Sequence, residues 1–117
     1  IPVHLDLQFL SSSFTKKISE LKSEAQDTLT KKADWLKANG SYKLKIEGHC
    51  DERGTNEYNL ALGEQRAKMT QEFLVALGVS ASRIKTVSYG EERPVCRVSD
   101  ENCWAQNRRV EIVYTAR

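Results

Sequence analysis

The chain has 117 residues, of which 39% are hydrophobic and 29% are charged, a composition typical of an ordinary globular domain. Its formal net charge is only +2, and acidic and basic residues are interspersed. Because nucleic-acid-binding domains usually carry a basic block or stripe, no nucleic-acid partner is expected. No apolar run approaches the length that spans a bilayer. The first residues show no charged-then-apolar leader, as would also hold for a mature or trimmed chain. We expect one domain covering residues 1–117.

The first half of the chain predicts a strand, a helix and a second strand. Residues 1–10 alternate apolar and polar side chains, which indicates a strand with one buried face. Apolar residues then recur in steps of three and four from Ile18 to Leu36. This helical stripe ends at Asn39-Gly40, a common helix stop. Residues 42–47 alternate again, so a second strand is expected there, followed by a polar turn at 48–55.

The second half predicts a long helix and two more strands. The helix is expected from about Asn56 to Leu77, closed by Gly78, and the next strand over residues 84–89. Residues 90–106 are expected to form a long loop that contains a short helix starting at Ser99 or Asp100. The last strand alternates around Val110, Ile112 and Tyr114. This order predicts an α/β (α+β) sandwich, a mixed four-stranded sheet with two main helices packed on one face.

One arginine of the long helix falls on its predicted buried side. Arg66 lies near the middle of the apolar arc, Asn59 lies beneath it, and Gly63 leaves space between them. A buried guanidinium needs a partner, and proximity to the helix start would favour an anionic one; alternatively, the side chain extends out along the core edge. The residues expected to form the arc are Leu60, Ala67, Thr70, Phe73, Leu74 and Leu77.

A carboxylate follows the second strand at its C-terminal end, where ligands gather in open sheets. Asp51 is a candidate ligand group, although a plain turn carboxylate paired with Arg53 explains it equally simply. His49 and Cys50 stand beside it, but no second base or ligand cluster accompanies them, so no nucleophile or metal site is predicted. The basic pair Arg108-Arg109 is expected to be an ordinary surface feature for at least one of its members.

Three cysteines are present, at positions 50, 96 and 103. Their spacing provides no second close pair, and the two histidines are scattered, so no zinc site is predicted. Cys96 and Cys103 share one loop. They form either a disulfide, which requires an oxidising compartment, or two free thiols in a reducing one.

The chain contains four short motifs: Gly48-His49-Cys50-Asp51, Tyr58-Asn59, Leu62-Gly63-Glu64-Gln65-Arg66-Ala67 and Asn107-Arg108-Arg109-Val110. Together they resemble the OmpA-like peptidoglycan-binding domain. The match extends over about residues 14–114, and its continuations Glu52–Thr55 and Val87–Gly90 are most similar to the peptidoglycan-associated lipoprotein branch of that family.

The resemblance implies an OmpA-like fold that binds the free end of meso-diaminopimelate in the peptidoglycan stem peptide. Asp51 would bind its ammonium and Arg66 its carboxylate, with Asn59 hydrogen-bonding alongside and Arg108 orienting the site or contacting the ligand. No bond is broken, so neither catalytic residues nor cofactors are expected. Cell-wall peptide hydrolysis, the alternative of a different class, would need a nucleophile and base or a metal set.

The same resemblance implies a location and a host protein. The domain would lie in the periplasm of a Gram-negative bacterium and tether the outer membrane to the wall through a lipidated cysteine upstream of Ile1. Proteins of the Tol system are implied partners. The alternative hosts are an outer-membrane barrel protein and a flagellar stator. A periplasmic location favours the Cys96–Cys103 disulfide, with Cys50 a buried free thiol.

This sequence departs from the family pattern near its first strand. The family usually ends that strand with Phe-Asp, whose backbone also meets the ligand. Ungapped counting back from Gly48 aligns the pair with Phe14-Thr15, which lacks the aspartate, whereas Leu5-Asp6 would require an insertion of several residues.

Overall fold

The computed structural model describes residues 5–6 and 23–116 of the chain. Among these residues no helix has the length and apolar character needed to cross a membrane. The elements in chain order are β1 (Leu5–Asp6), α1 (Ser23–Ala38), β2 (Tyr42–His49), α2 (Asn56–Ala76), β3 (Ile84–Gly90), α3 (Glu101–Asn107) and β4 (Arg109–Ala116), with a short 3-10 helix at Ala81–Arg83 before β3.

The sheet is mixed, with strand order β1-β4-β2-β3. β2 and β3 are connected through α2 and run parallel, whereas β4 pairs with β2 in the antiparallel direction. His49 at the end of β2 lies opposite Arg109 at the start of β4. The C-terminal end of β2 and the start of β4 therefore lie side by side at one end of the sheet, in its two central strands.

The core lies between one face of the sheet and the helices. Ile46 of β2 lies opposite Ile112 of β4, and both side chains are fully buried. Leu29 and Leu36 of α1 and Leu74 of α2 pack into the same cluster. This arrangement supports the predicted α+β sandwich with its main helices on one face.

The element count differs in part from the expectation of four strands and two main helices. Three strands are seven or eight residues long, β1 has only two residues, and α3 is a third helix. Asp100 caps α3 by accepting a hydrogen bond from the Cys103 N–H, as its side chain predicted. The first strand expected over residues 1–10 is described only at Leu5–Asp6, which pairs with β4; Phe14-Thr15 lies outside the described residues.

The buried side of α2 also differs from the predicted arc. Leu60 is 40% exposed, whereas Leu62 and Met69 are buried. The centre of the buried stripe is displaced by about 30° from that of the predicted arc, much less than the 100° between adjacent helix positions, so Ala67, Thr70 and Leu74 are buried in both. Gly63 and Arg66 remain inside the stripe, as expected.

Two glycines allow α2 to lie directly against β2. A Cβ placed on Gly48 would be 1.7 Å from the carbonyl oxygen of Gly63, so no side chain fits there. A Cβ on Gly63 would be 2.2 Å from Ser88 Oγ and 2.9 Å from the Gly48 carbonyl oxygen. This close contact brings Arg66, one helical turn after Gly63, to the end of β2.

Replacing Gly48 with alanine should therefore lower the free energy of unfolding by about 3 kcal/mol, because an atom is forced into occupied backbone space. Chemical denaturation of the purified domain measures this loss. Gly40→Ala is the matched control, since a Cβ there would meet nothing within 4 Å. Equal stability of the two variants would contradict the close helix–strand contact.

Candidate ligand-binding site

Asp51 lies just beyond β2 with its side chain 9% exposed. One carboxylate oxygen accepts from the backbone N–H and the Nε of Arg53, at 3.0 and 3.2 Å. The other accepts from Arg53 Nη2 at 2.7 Å and from Arg108 Nη1 at 2.9 Å. Burial opposes ionisation of Asp51, but hydrogen bonds from Arg53 and Arg108 outweigh it and lower the pKa of the carboxyl group. Asp51 is therefore a carboxylate at neutral pH.

Arg66 is fully buried, so the alternative in which its side chain extends out to solvent is wrong. Its Nη1 donates to the backbone carbonyl of His49 at 2.7 Å and contacts Cys50 Sγ at 3.5 Å. The guanidinium is thus held at the C-terminal end of β2. Arg66 lies in the middle of α2, about ten residues from its start. The predicted help from the helix dipole is therefore wrong, because that effect fades within the first turn.

Arg108 is held between two carboxylates. Besides its contact with Asp51, its Nη2 donates to Glu101 at 2.6 Å, and its side chain is only 5% exposed. Arg109 is equally buried and binds the carbonyl oxygens of Asn107 and Arg93. The expected surface position of at least one of these arginines is wrong, because both side chains turn inward to hold neighbouring segments.

Asn59 connects the turn after β2 to the loop after β3. Its amide donates to the Arg53 carbonyl at 2.9 Å and to Glu91 at 3.0 Å. The turn itself depends on Gly54, whose φ of +92° suits glycine. Thr55 then caps α2 by accepting from the Tyr58 N–H. Asn59 therefore keeps the Asp51 turn in a defined position.

These side chains share a cavity of about 280 Å³. The sequence-predicted residues Asp51, Asn59, Arg66 and Arg108 all line it, together with Cys50, Arg53, Gly54, Tyr58 and Leu62. A larger cleft of about 670 Å³ is lined by Trp35, Tyr42 and Tyr114 with two lysines, at the far end of β2 and β4. We place the site in the smaller cavity, because it contains a buried carboxylate and a buried guanidinium that the larger cleft lacks.

Cys50 does not provide a nucleophile to this cavity. Its thiol is buried and donates to the carbonyl of Asn59 at 3.2 Å. Burial raises the pKa of the thiol to about 11, against the opposing effect of Arg66. Cys50 therefore remains protonated at neutral pH and fills space, as expected.

One cluster on the opposite face of β2 and β4 contains atoms of the kinds that bind metals. Groups of Glu47, His49 and Glu111 lie within 4.8 Å of one another. However, Lys45 pairs with Glu47 at 3.0 Å, and Arg109 pairs with Glu111. Burial and the nearby Arg109 lower the pKa of His49. Because both carboxylates are already paired with basic side chains, the cluster is an ion-pair network between β2 and β4.

Sequence reasoning missed three residues of the site. Glu101 holds Arg108, but their spacing gave no signal, because helix neighbours are three or four residues apart and Arg108 lies beyond the end of α3. Glu91 binds Asn59 and Trp104 covers Arg53 at 4.3 Å, both through long-range contacts that no local pattern indicates.

The expected disulfide between Cys96 and Cys103 is present, and Cys50 is a free cysteine. The side chain of Asn107 accepts from the backbone N–H groups of Val95 and Cys96 and donates to the Cys96 carbonyl. The disulfide and this amide therefore join the loop to both ends of α3, immediately before Arg108.

Alkylation of the unreduced, denatured protein should label one cysteine, Cys50, as mass spectrometry would detect. Reduction should lower the free energy of unfolding by roughly 2–3 kcal/mol, the loop-closure value for so short a ring. Cys50→Ser is the control, because it should leave no alkylated cysteine before reduction. Three alkylated thiols in protein isolated from a periplasm would contradict the pairing.

Comparison with known proteins identifies the family of this chain. The model of the OmpA family matches residues 13–109. The chain belongs to the OmpA family. Over 91 residues the domain is 54% identical to a protein named peptidoglycan-associated lipoprotein from Mesorhizobium japonicum, a match covering 78% of this chain and 54% of that protein. The chain thus spans about half the length of that relative.

Solved structures show the same relationship. The crystal structure of the peptidoglycan-associated lipoprotein from Burkholderia pseudomallei has a TM-score of 0.83 and 38% identity, covering 97% of this chain and 89% of that one. The periplasmic domain of Helicobacter pylori MotB has a TM-score of 0.76 at 18% identity, covering 98% and 75%. The second likeness shows a shared fold, whereas the first supports the predicted lipoprotein branch of the OmpA family.

Proposed function

We propose that this domain binds peptidoglycan non-covalently, through the free end of meso-diaminopimelate in the stem peptide. The observation that carries the proposal is a buried carboxylate and a buried guanidinium, Asp51 and Arg66, lining one cavity. The free end of diaminopimelate carries an ammonium and a carboxylate on one carbon. The cavity of about 280 Å³ is small enough to engage both groups at once.

In this arrangement the ligand ammonium binds Asp51 and the ligand carboxylate binds Arg66. A guanidinium donates two parallel hydrogen bonds to a carboxylate, which adds orientation to the charge attraction. Asn59 keeps the Asp51 turn in place and adds a hydrogen bond to the ligand. Arg108 acts as a positioning residue, because both of its Nη atoms already bind carboxylates of the protein.

The site supports binding rather than hydrolysis. The lowered pKa of Asp51 makes it a weak general base, and the raised pKa of Cys50 makes its thiol a poor nucleophile. The non-catalytic character proposed for this domain agrees with the names of its relatives, which describe association with peptidoglycan.

The wider role follows from the same relatives. We propose a periplasmic domain of a Gram-negative lipoprotein that anchors the outer membrane to the wall, with Tol-system proteins as partners. The 54% identity to a lipoprotein favours this host over a barrel protein or a flagellar stator. The sequence upstream of Ile1 tests it: a lipidated cysteine is expected, and barrel strands or a single membrane-spanning helix would contradict it.

Binding is tested with purified sacculi and with a diaminopimelate-containing stem peptide. We expect the domain to cosediment with sacculi and to bind the peptide by calorimetry, releasing no soluble wall fragments. Failure to bind the stem peptide would contradict the proposed function, and the release of fragments would indicate a hydrolase.

A further inference from the structure

The carboxylate proposed to receive the ammonium is already occupied. Arg53 supplies three of the four donors to Asp51, its backbone N–H, Nε and Nη2, and Arg108 supplies the fourth. An incoming ammonium therefore needs one of these protein groups to leave, because carboxylate lone pairs are limited in number.

The two arginines differ in how firmly they are held. The side chain of Arg108 is 5% exposed and is anchored on its other side by Glu101, whereas that of Arg53 is 51% exposed. Moving Arg108 away would strip a carboxylate from a guanidinium that is itself buried, which is costly. The Arg53 side chain is half in solvent, so its guanidinium can leave Asp51 at a smaller cost when an ammonium takes its place.

A neighbouring aromatic ring gives Arg53 a second place to interact. Its guanidinium carbon lies 4.3 Å from the centre of the Trp104 ring, a cation–π distance. The indole N–H of Trp104 donates to Glu52 at 2.9 Å, which holds the ring in position. Arg53 can therefore release Asp51 and still keep a contact with Trp104.

We infer that Arg53 is a built-in competitor that holds Asp51 in the unliganded domain and is displaced by the ligand ammonium. This inference rests on the proposed function and adds an affinity-setting residue to it. The backbone N–H of Arg53 stays on Asp51 while the guanidinium leaves, so the turn keeps its shape. Arg53 then weakens binding instead of contributing to it.

This role predicts how the affinities of different ligands should change. Opening the Arg53–Asp51 pair costs the same for every ligand that places an ammonium on Asp51, and nothing for ligands that do not. Removal of the Arg53 guanidinium should therefore raise the affinity of the domain for every amine-bearing ligand by the same factor. It should not alter the affinity of ligands whose amine is blocked.

The test compares Arg53→Gln with wild type by calorimetry, using a diaminopimelate stem peptide and the same peptide acetylated on its distal amine. We expect Arg53→Gln to bind the free amine about two- to fivefold more tightly, the range for an exposed ion pair. The acetylated peptide should show no gain. Arg97→Gln is the matched control, because it removes the same charge from an exposed arginine of the loop after β3. It should leave both affinities unchanged.

A second readout follows the guanidinium itself. In a Trp35→Phe background, the fluorescence of Trp104 should change when the free-amine peptide binds and when Arg53 is replaced by Gln, because both events remove or move the cation over the ring. In an Asp51→Asn background, Arg53→Gln should give no affinity gain, since the pair that it breaks is already absent.

The outcomes separate this inference from the proposed function. If wild type does not bind the peptide, the proposed function fails. If wild type binds but Arg53→Gln binds equally well or more weakly, Arg53 is not a competitor, and weaker binding would make it a ligand contact. An equal gain in affinity with Arg97→Gln would show that the effect comes from the change in net charge, and it would overturn the inference.

Discussion

Asp51→Asn and Arg66→Lys should each weaken binding to the diaminopimelate stem peptide by about 10- to 150-fold, equivalent to roughly 1.5–3 kcal/mol for one charge-assisted contact. Asn keeps the shape of Asp51 but removes the charge that would attract the ammonium. Lys keeps the charge of Arg66 but cannot reproduce the two-pronged geometry of a guanidinium. Calorimetry with the peptide measures both losses, and cosedimentation with sacculi confirms them on intact wall.

Chemical modification of the ligand assigns each contact separately. With a peptide acetylated on its distal amine, Asp51→Asn should lose little affinity relative to wild type. With a peptide amidated on its distal carboxylate, Arg66→Lys should lose little affinity relative to wild type. Each ligand change should leave the other variant's cost nearly intact, because the two contacts involve different ligand groups. A reversed pattern would exchange the roles of the two residues.

Folding must be controlled, because both residues are buried. Circular dichroism and chemical denaturation of each variant report whether the domain remains folded. Glu64→Gln is the charge-matched control for Asp51→Asn, since Glu64 is exposed on α2 and pairs only loosely with Lys68 at 3.7 Å. Retention of wild-type affinity by both site variants, while Glu64→Gln also binds normally, would refute the site.

Local patterns predicted the parts of the fold that local physics controls. The long helix was expected over 56–77 and occupies Asn56–Ala76, because Thr55 caps its start and Gly78 follows its end. The alternation of apolar residues located β2 and β4 within a few residues. Helical spacing placed Arg66 on the buried side of α2 with Gly63 and Ala67, but did not decide whether its side chain is buried or extends to solvent.

Contacts between distant residues could not be predicted in the same way. Asp51 and Arg108 are 57 positions apart, and neither local sequence predicts the 2.9 Å hydrogen bond between them. The sequence alone allows Asp51 to be either a turn carboxylate paired with Arg53 or a ligand group, and the structure shows the pairing with Arg53. The exposure of Leu60 and the close contact between Gly48 and Gly63 are likewise set by tertiary packing, which local sequence does not indicate.

The family match supplied the ligand assignment that spacing left open. Spacing alone presented Arg66 as either a buried site residue or a core-edge arginine, and burial excludes the second. The structure then brings Asp51, Asn59, Arg66 and Arg108 to one cavity. The chemistry of that cavity makes a further prediction about which cell walls the domain binds.

Stem peptides that contain diaminopimelate should bind about 10- to 150-fold more tightly than otherwise identical peptides that contain lysine. Lysine has the amine that Asp51 would bind but lacks the distal carboxylate, so the Arg66 guanidinium loses its two-pronged acceptor. A buried site built for a polar group rejects a ligand that lacks it, because the site's own polar atoms lose a partner. Paired titrations of the two peptides measure the ratio.

The same pair of peptides also tests where this selectivity originates. In Arg66→Lys the ratio should fall to near one, because the group that distinguishes the two ligands has been removed. In Asp51→Asn both peptides should weaken by a similar factor and the ratio should persist, since both carry the amine. Equal affinity of wild type for the two peptides would show that Arg66 does not bind the ligand carboxylate and that its burial serves the fold alone.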